Sequence, residues 1–223
     1  MNQTHEALHL TPEEFKWISR QIFQNECGGK DDNLTCWNEN ENFMSVGLGH
    51  FLWYPRDTKK IFAESFPQML DYVEKTGLVL PEWLSECKTR GCPWTSREEF
   101  LDNFSGEMMV QLRRFLLSCL DLQVGFIIHR AQQIVEKISA ILPASEQQEI
   151  IDKFNAIART PRGFYPLIDY INFKGSGNDQ HERYKGAGWG LLQVLENMDL
   201  SADPSRPKAA FVAAAIRVVA NGA

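Results

Sequence analysis

The chain has 223 residues, 43% of them hydrophobic and 23% charged, with a formal net charge of −6. That length suffices for one large domain or for two small lobes around a shared core, and the balance is that of a soluble globular chain. The negative charge excludes a uniformly basic nucleic-acid surface, though not a local basic groove. The five cysteines, Cys27, Cys36, Cys87, Cys92 and Cys119, are an odd number and fit a full disulfide framework poorly. Reduced thiols are expected, with one disulfide, Cys27–Cys36 or Cys87–Cys92, left open. Cys87 and Cys92 have no second close pair, so no zinc site is expected. No metal and no cofactor is expected elsewhere either.

The N-terminus "MNQTHEALHLTPEEF" has neither a basic nor an apolar leader segment. The expected compartment is the cytoplasm, or the periplasm if a leader has been removed. The most apolar run, "FLLSCLDLQVGFIIHR", carries Asp121, Gln123, His129 and Arg130, which argues against a membrane span.

In chain order, Thr11-Pro12-Glu13-Glu14 is a capping box with proline in the first turn. Phe15, Ile18, Ile22 and Phe23 follow at helical spacing, and Gly28-Gly29 ends the helix. Glu26 therefore sits in the last turn, near the apolar face. The negative end of the helix dipole and partial burial both favour a protonated carboxyl there, as a general acid needs. The plainer reading is an ordinary last-turn glutamate. Residues 30–42 read as loop. "NFMSVGLGHFLWY" alternates like a strand pair around Gly47 and Gly49. Residues 65–76, 106–142 (broken near 120–125), 187–198 and 207–220 read as helices. Capping boxes are expected at Ser96–Glu99 and Ser145–Gln148, the latter opening a helix that ends near Arg159. The chain is thus expected to be α+β and predominantly helical, with a small β-hairpin after the first long helix.

Phe43-Met44-Ser45-Val46-Gly47-Leu48-Gly49-His50 resembles the phage-type lysozyme signature, in which an aromatic pair precedes Thr-Ile-Gly-Ile-Gly-His. The resemblance extends back to the glutamate that ends the first helix and covers about twenty-five residues. The remainder is more similar to a bacterial branch of the lysozyme-like superfamily, including lytic transglycosylases. It implies one lysozyme-like domain over residues 1–223, with a β-containing lobe at about 27–60 and a helical bundle for the rest. It implies that Glu26 is the general acid and that Ser45 takes the place of the family threonine. His50 matches the histidine that closes the motif. The second carboxylate, which would hold the attacking water, falls on Glu41 or Glu39. These two share one side of an extended segment. Glu41 is preferred because it is nearer Ser45. The loop before the motif is longer here than in the phage enzymes.

A second stretch, "YINFKGSGNDQHERYKGAGWGLLQ", mixes glycines with aromatic, amide and cationic residues. Tyr170, Asn172, Lys174, Arg183, Tyr184 and Trp189 suit a sugar-binding groove alongside Glu39 and His50; the alternative is a long surface loop anchored by aromatics. The expected function is cleavage of a glycosidic bond in peptidoglycan or a related amino-sugar polymer, by hydrolysis or by a lytic-transglycosylase route. The alternative is a glycan-binding or intracellular interaction protein that does not cut. Nucleic acid is not an expected partner.

Overall fold

The structure is a computed structural model that describes residues 10–177, 183–184, 187–201 and 203–221. Its order is α1 (Pro12–Cys27), a short 3-10 helix (Asp31–Leu34), β1 (Thr35–Cys36), β2 (Met44–Val46), β3 (Phe51–Trp53), α2 (Phe66–Lys75), α3 (Glu82–Arg90), α4 (Arg97–Asp102), α5 (Glu107–Ser118), α6 (Leu120–Ala140), α7 (Ala144–Ala158), α8 (Phe164–Lys174), β4 (Arg183–Tyr184), β5 (Ala187–Gly188), α9 (Leu191–Glu196) and α10 (Pro207–Asn221). It is α+β and dominated by helix. Among the described residues no helix is long and apolar enough to cross a membrane.

Two compact units emerge. One holds residues 15–126 and the other the N-terminal residues to 14 together with residues 127–223. α1 begins as its sequence dictates. The Thr11 hydroxyl accepts from the Glu14 N–H at 3.2 Å, and the Glu14 carboxylate accepts from the Thr11 N–H at 3.0 Å. Gly28 (φ 57°) and Gly29 (φ 68°) end the helix in the left-handed region that glycine tolerates.

β1, β2 and β3 form an antiparallel sheet in that order, with Thr35 opposite Val46, Cys36 opposite Ser45, Ser45 opposite Leu52 and Met44 opposite Trp53. Strand alternation therefore gives the sheet an inner face of Thr35, Met44, Val46, Phe51 and Trp53, all essentially inaccessible to solvent. Its outer face carries Cys36, Ser45 and Leu52. Trp53 packs on Phe66 of α2 at 4.7 Å between ring centroids, and Phe51 on Phe126 at 5.4 Å. Each such ring contributes roughly 1.5–3 kcal/mol by burial. Arg113 of α5 ties the polar edge of this core together. It donates to the Thr35 hydroxyl (2.9 Å) and the Phe104 carbonyl (2.9 Å) and pairs with Asp32 at 2.9 Å.

The second unit packs α7, α8, α9 and α10, with Phe154 against Phe164 and Tyr170 against Phe211.

Several local expectations need correction. The helix expected to open at Ser145 starts at Ala144, with Pro143 as its cap and no side-chain capping bond; the proline sets the start instead. At α4, Ser96 caps the Glu99 N–H, but the Glu99 carboxylate reaches past Ser96 to Thr95. The break in the long helical run falls at Cys119. Gly125 stays helical, and a Cβ there would meet the Tyr72 hydroxyl at 2.8 Å. α9 begins at Leu191, not at 187, because Ala187–Gly188 pair with β4. The 30–42 loop contains the 3-10 turn and β1. α3 and α8 had no counterpart in the expected elements.

All five cysteines are free thiols. Burial, then the adjacent Glu26 carboxylate, pushes Cys27 up to about 11; burial, partly offset by a Gln123 hydrogen bond, also pushes Cys119 up to about 11. In the unfolded chain both ionise nearer 9. Between pH 9 and 11 the unfolded state therefore holds fewer protons than the folded one, and stability falls as pH rises. We expect a loss on the order of 2 kcal/mol per thiol across that window. Denaturant titrations of the parent and of the Cys27→Ala, Cys119→Ala double variant check this, the variant showing the flatter profile.

Candidate active site

Glu26 occupies the penultimate position of α1, and its side chain is about one-third exposed. Its Oε2 lies 3.3 Å from Nε2 of His50, which is half-exposed. His50 reaches this position from the end of the β2–β3 turn, with φ at 44°. A non-glycine residue in that region is strained by about 1 kcal/mol or more, and such strain concentrates at functional positions.

The turn is fixed from several sides. The Gly47 N–H donates to the Leu34 carbonyl (2.8 Å), the His50 N–H to the Gly47 carbonyl (3.2 Å), and the Leu48 N–H to the fully buried Gln123 side chain (2.9 Å). Gln123 in turn donates to the Leu116 carbonyl at 2.7 Å. Both glycines are dictated by close approach. A Cβ on Gly47, itself at φ 73°, would lie 2.4 Å from Gln123 Oε1, and one on Gly49 would lie 2.5 Å from the Phe51 ring.

Ser45 is buried on the outer face of the sheet, beside Cys36 across β1 and Leu52 across β3. Residues 37–42 are built around Trp37, whose indole N–H donates to the Glu41 carbonyl (2.8 Å) and whose carbonyl accepts from Arg97 (3.0 Å). This brings the Glu41 carboxylate to Cys36. Burial and then that carboxylate push the Cys36 thiol up, with Arg97 opposing. Glu41 Oε2 is buried, with no hydrogen-bond donor among the described residues. Such an oxygen is costly unless water or a ligand hydroxyl serves it. Glu39, by contrast, is exposed in the loop. Trp37 organises this loop, and its only signal in the sequence is a lone tryptophan amid "TCWNENEN".

The second constellation belongs to the other compact unit. Tyr170 and Lys174 lie on α8, not on a loop. The Tyr170 hydroxyl donates to the Trp189 carbonyl at 2.6 Å, and the Lys174 ammonium lies 5.9 Å from the Trp189 ring centre. Burial pushes the Tyr170 phenol up to about 12. The glycines here serve packing: Gln193 accepts from the Gly190 N–H and donates to the Gly177 carbonyl, and a Cβ on Gly190 would lie 2.1 Å from Gly177 N. The side chains of Asn172, Arg183 and Tyr184 lie outside the described residues.

Among the described residues no group of three His, Cys, Asp or Glu side chains is placed to hold a metal ion. A separate cleft of about 220 Å³, lined by Trp94, Glu99, Asn103 and Glu107 among others, contains none of the expected site residues. Comparison with protein-family models, with curated proteins and with solved structures finds no match for the chain.

Proposed function

We propose that the protein cleaves glycosidic bonds in peptidoglycan or a related amino-sugar polymer, with Glu26 as the general acid. The observation that carries this reading is the Glu26–His50 pair, a helix-end carboxyl held at 3.3 Å by an imidazole presented from a strained Gly-x-Gly-His turn. In its neutral Nε2–H form, His50 donates to Oε2 and leaves Oε1 to carry a proton to the leaving oxygen. The same N–H then stabilises the carboxylate that remains. Ser45 lies on the outer face of the sheet and Glu41 near its cross-strand partner Cys36, and the place of both in the reaction is to hold and activate water. The donor-free Glu41 oxygen suits that role. Where the polymer's own hydroxyl attacks instead, Glu26 serves as acid and then as base, and the product is an anhydro-sugar.

The test is incubation of the protein with purified cell walls and measurement of soluble fragments. Release of reducing ends supports hydrolysis, and release of anhydro ends the transglycosylase route. Binding to walls without any release of fragments overturns the catalytic reading.

His50 acts here through Glu26, as a positioning residue. His50→Asn keeps a residue tolerant of positive φ but alters the donor geometry. We expect it to lower kcat about 10-fold or more with KM little changed. An unchanged kcat would separate His50 from the acid.

A further inference from the structure

The cleft of about 220 Å³ lies where α4 gives way to α5. Pro93, Trp94 and Met108 contribute apolar lining, and Glu99, Asn103 and Glu107 contribute polar lining. Its two carboxylates are fixed in place yet carry no counter-charge. Glu99 Oε2 accepts from the Thr95 N–H (2.8 Å) and hydroxyl (2.7 Å), and these bonds hold its carboxyl below the usual range, ionised at neutral pH. Glu107 opens α5, where the positive end of the helix dipole favours the ionised form. Its Oε1 accepts from the Gln111 amide (3.2 Å), which is itself set by the Trp83 indole N–H (3.0 Å). Among the described residues neither carboxylate is paired with a lysine, arginine or histidine, whereas Glu64, Glu86 and Glu149 each are. Arg97, on the same helix as Glu99, donates instead to the Trp37 carbonyl.

Trp94 is a second, independent sign of a ligand. It lines the cleft although only 4% of it is accessible, and its ring packs edge-on against Trp53 at 6.4 Å between centroids. Its indole N–H has no acceptor among the described residues, while those of Trp37 and Trp83 bond to the Glu41 carbonyl and to Gln111. A donor on so buried a side chain is costly unless water or a ligand serves it. The cleft therefore lacks two things at once, a positive charge and a neutral acceptor.

We propose that this cleft binds an organic ammonium ion, with the charged nitrogen at the Glu99 and Glu107 carboxylates, its aliphatic stem against Pro93 and Met108, and a carbonyl or hydroxyl of the same molecule at the Trp94 N–H. A bare metal ion suits the site less well, since no third His, Cys, Asp or Glu joins the two carboxylates. The volume suits one amine the size of a lysine side chain and is small for a glycan strand. The site stands apart from Glu26 and His50, and its ligand is independent of the glycosidic reading above.

The experiment titrates the full-length protein with Nα-acetyl-lysinamide, which represents a peptide lysine, and with n-butylamine, which represents a free amine. Binding is read from the Trp94 indole N–H resonance in nitrogen-edited spectra, assigned by its loss in Trp94→Phe. At least one amine should give a saturable shift with a Kd of about 1 mM, and the tighter of the two identifies the source. Nα-acetyl-norleucinamide has the stem and the carbonyls without the charge, and should bind about tenfold more weakly or worse than the lysinamide. Glu107→Gln should weaken amine binding about two- to fivefold, and the Glu99→Gln, Glu107→Gln double variant about tenfold or more. Glu107 is exposed, so the single variant should keep the parent melting temperature and reads the charge without a change in folding. Absence of a saturable shift with either amine overturns the proposal, as does equal binding of the norleucinamide or an affinity that Glu107→Gln leaves unchanged. Displacement of the amine by calcium at a lower concentration than the amine itself requires also overturns it, because the carboxylates then serve an inorganic cation.

Discussion

Replacing Glu26 by glutamine is expected to slow solubilisation of purified cell walls by about 10²–10⁴-fold while leaving the melting temperature near that of the parent. Glutamine has the shape of the protonated carboxyl, and its amide oxygen still accepts from His50 Nε2–H. What it lacks is the transferable proton. The side chain is about one-third exposed, so removal of its charge leaves no buried ion behind. A half-exposed pair of this kind is worth about 0–1 kcal/mol to stability. A structural role would give the opposite pattern, a lowered melting temperature with clearing intact. Circular dichroism and a turbidity assay on the same preparation separate the two.

The second large effect is expected at Gly47. Gly47→Ala puts a side chain at φ 73° and a Cβ 2.4 Å from Gln123 Oε1. The glutamine is a flexible residue in principle, but here it is fully buried and bonded at both ends, to Leu48 N–H and to the Leu116 carbonyl. Moving it leaves a buried N–H without its acceptor. The backbone strain and the lost bond together should cost about 2–4 kcal/mol. Because the same turn presents His50, wall clearing should fall as well, even well below the melting temperature. Denaturant unfolding and activity at low temperature check the two halves. Gly77→Ala is the control for stability alone: it shares a positive φ (92°) but has nothing within 4 Å of its Cβ.

The parts of this structure that were legible in the sequence are those with local chemical causes. Thr11-Pro12-Glu13-Glu14 states a helix start by itself, and paired glycines state its end. The alternation around Gly47 and Gly49 gives the hairpin. Glu26 and His50 were each singled out, but their contact was not readable. It depends on a left-handed histidine at the end of a turn whose shape is set by Gln123, seventy-five positions away from Leu48. β1 was missed because two residues cannot show a period, and its pairing is decided by β2. α8 was hidden because Tyr170 and Lys174 were read with the glycines that follow, when they close a helix that Gly175 ends at φ 78°. Those glycines suggested a ligand loop, yet at Gly177 and Gly190 they answer to backbone packing around Gln193. The different surroundings of Glu39 and Glu41 are also tertiary in origin, since Trp37 and Arg97 fold the loop so that the Glu41 carboxylate comes near Cys36 while Glu39 stays in solvent.

The most direct measurement is end-group analysis by mass spectrometry of purified peptidoglycan incubated with the parent and, in parallel, with Glu26→Gln. We expect new reducing or anhydro ends with the parent and none above background with the variant, both proteins being equally folded. Equal yields of new ends from the two proteins would contradict the assignment of Glu26 as the acid.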